Sequence, residues 1–290
     1  MSQVWFVTGA GRGLGVEIAR AALAAGEKVV ATGRNPERVA MALGTSDRLL
    51  ATELDVTRQN QIQTALRTAT GRFGRIDVLV NNAGYGQLGV FEESTPAEIH
   101  AQFDTNVFGL MAVTRAIIPG MRKQRSGRIF NISSIGGLRG MFGASLYNAS
   151  KFAVEGFSQA LADELAPFGV YVTCVAPGFF RTDFLDPSSI KYTKASIKDY
   201  AQSLAEFRAF HDARNHTQAG DPKKLAAVIL RLAQVDNPPV SFVVGPDAVK
   251  WARAAIKQRL ERIDTWHDLS VSTDGTWYRT DFLSNRKEKI

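Results

Sequence analysis

Cysteine is nearly missing from this 290-residue sequence: Cys174 is the single one, so no internal disulfide can form and a reducing compartment is expected. Its neighbours, Val170-Tyr171-Val172-Thr173 and Val175, read as a buried strand, which makes it a core thiol rather than a nucleophile. No apolar run approaches the roughly 18 residues that a membrane span needs. The opening MSQVWFVTG lacks a basic stretch leading into an apolar one with a cleavage site, so a cytoplasmic protein is expected. Runs of like charge are absent too. The 35 basic and 28 acidic residues leave a net charge of +7, but they are scattered, and an acid interrupts even Arg286-Lys287-Glu288-Lys289. That pattern is a solvated surface and argues against a nucleic-acid footprint. The four histidines, His100, His211, His216 and His267, show no paired ligand spacing, and no metal is expected. Proline is sparse, and no linker, repeat or low-complexity stretch divides the chain, so residues 1–290 read as one domain.

What the sequence does have is rhythm. Strand-like runs at Val4–Thr8, Lys28–Thr32, Leu49–Leu54, Ile76–Val80, Arg128–Ile132 and Val170–Ala176 alternate with amphipathic stretches. Those helices are predicted at Gly13–Ala25, Pro36–Leu43, Arg58–Phe73, Ala97–Met121 and Ser145–Phe168. Such alternation predicts an α/β fold, a doubly wound parallel sheet of Rossmann type with helices on both faces. After Pro177 the rhythm changes. Residues 179–218 are irregular or helical and rich in Phe, Tyr and Leu; a helix (Pro222–Ala233), a strand (Val240–Val244) and a helix (Asp247–Arg262) follow, then a polar C-terminal extension, 264–290, that embeds Trp266, Trp277, Tyr278 and Phe282.

The turn after the first strand reads Thr8-Gly9-Ala10-Gly11-Arg12-Gly13-Leu14-Gly15. Glycines there let backbone N–H groups approach a pyrophosphate at the positive end of a helix. The G-x-G-x-x-G spacing fails, and G-x-x-x-G-x-G through Gly9, Gly13 and Gly15 fits instead. The end of the second strand, Ala31-Thr32-Gly33-Arg34-Asn35, lacks the acid that would accept bonds from the ribose hydroxyls of NAD. Arg34 stands beside that place and Arg12 lies in the glycine turn, so two guanidinium groups suit a 2′-phosphate, and NADP is expected over NAD.

Tyr147-Asn148-Ala149-Ser150-Lys151 puts a phenol and an ammonium on one helical face, where the cation favours the phenolate. Ser133-Ser134 and Asn81-Asn82-Ala83-Gly84 follow strands at the carboxyl edge where open sheets bind ligands. Asn106, inside a long helix, needs a partner if buried. Taken in order, these motifs resemble the short-chain dehydrogenase/reductase family in its compact single-domain branch: T-G-x-x-x-G-x-G at Thr8 to Gly15, N-N-A-G at Asn81 to Gly84, Y-x-x-x-K at Tyr147 to Lys151, and P-G at Pro177-Gly178. The resemblance is close over Val4 to Thr182 and holds in outline beyond, where it is most similar to steroid- and retinol-dehydrogenase-like members.

The resemblance implies hydride transfer between a nicotinamide and a carbonyl or alcohol carbon. It selects Ser134, thirteen residues before the tyrosine, over Ser133, and implies a catalytic set of Asn106, Ser134, Tyr147 and Lys151. In it, Tyr147 is the acid/base, Lys151 depresses the tyrosine pKa and bonds the nicotinamide ribose, Ser134 holds the substrate oxygen, and Asn106 fixes a relay water. Cofactor contacts are implied at Gly9, Arg12, Gly13, Leu14, Gly15, Arg34, Asp55, Val56, Asn82, Ala83, Gly84, Tyr147, Lys151, Pro177, Gly178 and Thr182, with Asp55-Val56 at the adenine. The aromatic segment 179–218 corresponds to the flap over the substrate, with Met141 and Phe142 beside it, and suggests a hydrophobic small molecule. A homo-oligomer, dimer or tetramer, is implied as well. The rival reading is an NADP-binding sensor or regulator on the same fold.

Overall fold

A computed structural model describes residues 2–275. Seven strands form one parallel sheet: β1 (Val4–Val7), β2 (Lys28–Gly33), β3 (Leu49–Glu53), β4 (Val78–Asn81), β6 (Gly127–Ile132), β7 (Val170–Pro177) and β9 (Ser241–Val244), in the order β3-β2-β1-β4-β6-β7-β9. A separate parallel pair joins β5 (Gly86–Leu88) to β8 (Ile190–Tyr192).

Strand alternation splits the core between two faces. Trp5, Val7, Val29, Ala31 and Phe130 pack with Ile18 of α1 (Gly13–Ala24), Val39 of α2 (Pro36–Leu43), and Leu225 and Ile229 of α8 (Pro222–Ala233). Val4, Phe6, Val30, Leu79 and Ile129 face the opposite side. There they meet Ile62 of α3 (Gln59–Phe73), Val113 and Ile117 of α5 (Leu110–Gln124), and Leu161 of α6 (Ser145–Leu165). Strands buried on both faces explain the unbroken apolar runs. The sheet order reverses between β1 and β4, so the loops after these strands diverge and open a crevice at their carboxyl ends.

The expected helix Ala97–Met121 is not continuous. Helix α4 (Pro96–Phe103) starts at a capping box in which Thr95 and Glu98 bond reciprocally, and a π-helical turn, Asp104–Gly109, separates it from α5. Gly109 closes against β3's exit: a Cβ there would lie 2.6 Å from Val56 Cγ2. The expected helix through Phe168 ends its α-form at Leu165 and tightens to a 3₁₀ turn over Ala166–Phe168. In the aromatic segment, expected to be irregular or helical, α7 (Ala201–Asp212) is a helix, and β8 is a short strand where none was expected.

Two compact units are present, Met1–Ala252 and Arg253–Ile290. The last long helix, α9, covers Pro246–Thr265, and α10 covers His267–Val271; Ile256, Leu260, Ile263 and Trp266 are exposed. Trp277, Tyr278 and Phe282 of the expected C-terminal extension lie outside the described residues. Among the described residues no helix is long and apolar enough to cross a membrane.

Candidate active site

A cavity of about 1270 Å³ opens at the carboxyl edge of the sheet and runs from the glycine turn to the aromatic flap. Its first wall is main chain. Gly9 and Gly13 adopt φ of 65° and 57°, a region that L side chains rarely enter. Gly15 admits no side chain: a Cβ would lie 2.4 Å from Gly9 O and 2.5 Å from Asn82 Nδ2. Asn82 Nδ2 donates to Thr8 O at 3.0 Å and Gly9 O at 3.1 Å, while Thr8 Oγ1 accepts from the N–H groups of Asn82 and Ala83, both at 3.0 Å. The N-N-A-G turn thus braces the glycine turn. Asn81 works deeper: its amide donates to Thr114 Oγ1 and Asn131 Oδ1, and Asn131 donates onward to Ser158 Oγ.

At the outer end Arg12, Arg34 and Arg38 all line the cavity. Arg38 escaped the sequence reading. Its signal was local: Asn35 caps α2 by accepting from Arg38 N at 2.7 Å, which puts a cation in the first helical turn, where the dipole favours anions. Arg12 donates to both the hydroxyl and the carbonyl of Ser188, tying the glycine turn to the flap. Burial and the nearby charge of Arg38 lower the Arg12 pKa, Asp183 opposes this, Arg34 adds to it, and Asp186 opposes it. Asp55 Oδ1 is occupied by the backbone and hydroxyl of Thr57, while Val56 lines the cavity with Leu54.

At the inner end Tyr147 and Lys151 lie one turn apart on α6, each 8% exposed. Lys151 Nζ donates to Ile132 O at 2.8 Å and stands 5.8 Å from the Tyr147 ring centroid. Burial pushes the Tyr147 hydroxyl up to about 12, with Ser134 acting against it, and pulls Lys151 down to about 8. Ser134 also accepts from Gly136 N at 3.0 Å; Ser133, by contrast, is buried and reaches back to Lys151 O. Asn106 sits in the π-helical turn and clasps the backbone of Tyr85: Oδ1 accepts from its N–H at 3.1 Å, and Nδ2 donates to its carbonyl at 2.9 Å and to Ser150 Oγ at 3.2 Å. Its amide is therefore committed to the loop that carries Tyr85.

The P-G turn closes the floor. A Cβ on Gly178 would collide with the Asp247 carboxylate at 2.2 Å, and Asp247 Oδ2 accepts from Phe179 N at 2.8 Å. Thr182 caps the following 3₁₀ turn and stands near Gly13. The far wall is aromatic: Phe142 meets Phe207 edge-on at 6.0 Å, Phe179 meets Trp251 at 5.9 Å, and His211 packs on Phe207 at 4.4 Å. Trp251 and His211 were missed because both reach the cavity through tertiary folding. His211 Nδ1 faces Phe207 O at 2.8 Å; burial lowers its pKa. Elsewhere on the flap, Asp183, Asp186 and His216 bring ligand-type atoms within 4.8 Å of one another, with Asp186 already paired to Asn215 and His216.

A family profile described as short chain dehydrogenase matches residues 3–192. The chain belongs to that family. An oxidoreductase of Botryotinia fuckeliana, BOA17, is 37% identical over 94% of this chain and all of that protein. A 3-ketodihydrosphingosine reductase of Bacteroides thetaiotaomicron is 39% identical over 84% of this chain and 88% of its own length. The crystal structure of a short-chain dehydrogenase from Streptomyces avermitilis superposes with a TM-score of 0.87 at 38% identity, covering 95% of this chain and all of the other. This family member is an oxidoreductase, and solved relatives carry NADP⁺ or NADH.

Proposed function

We propose that the protein is an NADP(H)-dependent reductase or dehydrogenase acting on the C=O or CH–OH group of a hydrophobic small molecule. The observation that carries this reading is the convergence of Tyr147, Lys151 and Ser134 on the cavity that the side-chain-free glycine turn opens into. That turn, where a Cβ at Gly15 would strike backbone, is the cradle a pyrophosphate needs. Three arginines with no carboxylate at the end of β2 favour a 2′-phosphate. The bound dinucleotide would supply or take the hydride.

The protein's own part is proton handling and orientation. Ser134 holds the reacting oxygen and stabilises charge developing on it. Tyr147 gives a proton to that oxygen in reduction and removes it in oxidation. Lys151, beneath the phenol, favours its ionised form and offers its remaining N–H groups to the ribose hydroxyls. Asn106 keeps the Tyr85 loop against α6, so the π-helical turn and the lysine hold a fixed spacing in which a relay water can sit. Rings from the flap exclude solvent and select apolar bodies.

Turnover and binding with NADPH and NADH, across a panel of carbonyls, test this in wild type, Arg34→Ala and Tyr147→Phe. NADPH is expected to win, Arg34→Ala to narrow the gap, and Tyr147→Phe to bind cofactor while losing about 10²- to 10⁴-fold in kcat. Binding of NADPH without turnover of any carbonyl would move the sensor reading forward, and a preference for NADH would overturn the arginine assignment.

A further inference from the structure

One ring of the far wall carries a hydrogen-bond acceptor. His211 lies near the end of α7, half-buried, and lines the cavity with Phe207 and Phe210, its ring centroid 4.4 Å from the first and 5.4 Å from the second. Ser203 and Glu206, the other polar residues of α7 on the cavity, are exposed to solvent. In an apolar pocket a single polar atom set among packed rings fixes how a ligand lies, and solvated side chains contribute little to that.

Its tautomer follows from one contact. Nδ1 stands 2.8 Å from Phe207 O, and a carbonyl oxygen can only accept, so the ring proton sits on Nδ1. Burial lowers the His211 pKa, the bond to Phe207 opposes the fall, Arg214 adds to it, and Asp212 opposes it. The neutral ring then carries a bare lone pair on Nε2. With Nδ1 turned back to the carbonyl one helical turn earlier, Nε2 points away from the α7 backbone, and no donor among the described residues bonds to it.

Resting on the reading of the cavity given above, we propose that His211 Nε2 is a substrate subsite: it accepts a hydrogen bond from a hydroxyl on the apolar body of the substrate, separate from the reacting carbon. The substrate is then an apolar hydroxy ketone, or the corresponding diol in the oxidative direction. The surroundings of the ring select that group. A hydrocarbon seated there would leave the lone pair without a donor and out of water, which is costly. An ether or a carboxylate would set lone pair against lone pair. An ammonium could donate, but Arg214 already brings a cation to the same ring, held with its guanidinium 3.5 Å from the Phe210 ring centroid and donating to Phe210 O at 3.2 Å. A hydroxyl donates without adding charge.

The probes are methyl ketones of hexyl to dodecyl chain length, each ending in a methyl, a hydroxyl or a methoxy group. Their dissociation constants are measured by calorimetry with and without NADP⁺, a state in which no ketone can be reduced, for wild type, His211→Phe and His211→Gln. Phe keeps a ring against Phe207 and removes the lone pair, whereas Gln keeps an acceptor. At the chain length that reaches Nε2, wild type is expected to bind the hydroxy ketone about tenfold more tightly than its methyl and methoxy partners. His211→Phe should level the three, and His211→Gln should keep part of the preference. Equal affinities in wild type at every length, or a hydroxyl preference that survives His211→Phe, would overturn the proposal. Because these affinities do not depend on turnover, a fully active Tyr147→Phe enzyme would sink the catalytic reading and leave the His211 result to stand or fall alone.

Discussion

The two ends of the cavity are made of different material. At the glycine turn the wall is backbone: Gly9, Gly13, Gly15 and the Asn82 brace leave room for a ligand because side chains are absent. At the flap the wall is rings: Phe142, Phe179, Phe207, Phe210, Trp251 and His211 leave room by how they pack on one another. A backbone wall has little freedom to vary, since its donors must sit at fixed spacing from a fixed ligand. A wall of rings tolerates exchange of one apolar body for another with small losses. The first end is suited to one invariant ligand and the second to whichever substrate the flap admits.

The sharpest way to break this contrast is to add a methyl group to the backbone wall. Gly15→Ala places a Cβ 2.4 Å from Gly9 O, backbone against backbone, with no flexible side-chain end to yield. Overpacking of this kind costs about 1–3 kcal/mol, so NADPH affinity measured by fluorescence titration should fall about 10- to 100-fold. A circular-dichroism melt separates lost binding from lost folding. Unchanged affinity in a folded variant would show that the glycine turn is not the cradle.

That same contrast decides what could be read before the fold was known. The glycine turn, N-N-A-G, Tyr147 and Lys151 are contiguous motifs at strand ends, and the α/β rhythm placed them on one edge of a parallel sheet. Helix boundaries fell within a few residues except over Ala97–Met121, where the π-helical turn exists because Asn106 clasps Tyr85 and Gly109 closes on Val56, both contacts between distant parts of the chain. Strands β5 and β8 escaped for the same reason: each is short, and each is a strand only by virtue of the other. Trp251 carries no motif, and its place in the wall follows from burial and neighbours alone.

The next prediction concerns the residue that joins the two ends. Arg12 binds Ser188 of the flap through two donors and also stands with Arg34 and Arg38 at the outer end of the cavity. Arg12→Ala removes a charge-assisted contact worth about 1.5–3 kcal/mol, so NADPH affinity should fall about 10- to 100-fold, with less change for NADH. It also frees the flap, so limited proteolysis within residues 183–200 should quicken in the absence of any ligand. Faster cleavage with unchanged cofactor preference would assign Arg12 to the flap alone.

The smallest effect is expected at the ring wall. Phe207 presses on Phe142 and His211, and Gly143, at φ 67°, passes so close that a Cβ there would lie 2.9 Å from Phe207 Cε1. Phe207→Ala would open space between α7 and the segment before Tyr147 without touching the phenol, the lysine or the glycine turn. An apolar pocket discriminates by only about 1–3 kcal/mol per missing group, so KM for a bulky apolar ketone should rise about tenfold while kcat stays within a few-fold. A small ketone, too short to reach the rings, should be turned over as before. If both ketones suffered equally in kcat, Phe207 would be holding α6 and its tyrosine in place, and the far wall would be part of the catalytic frame rather than a replaceable lining.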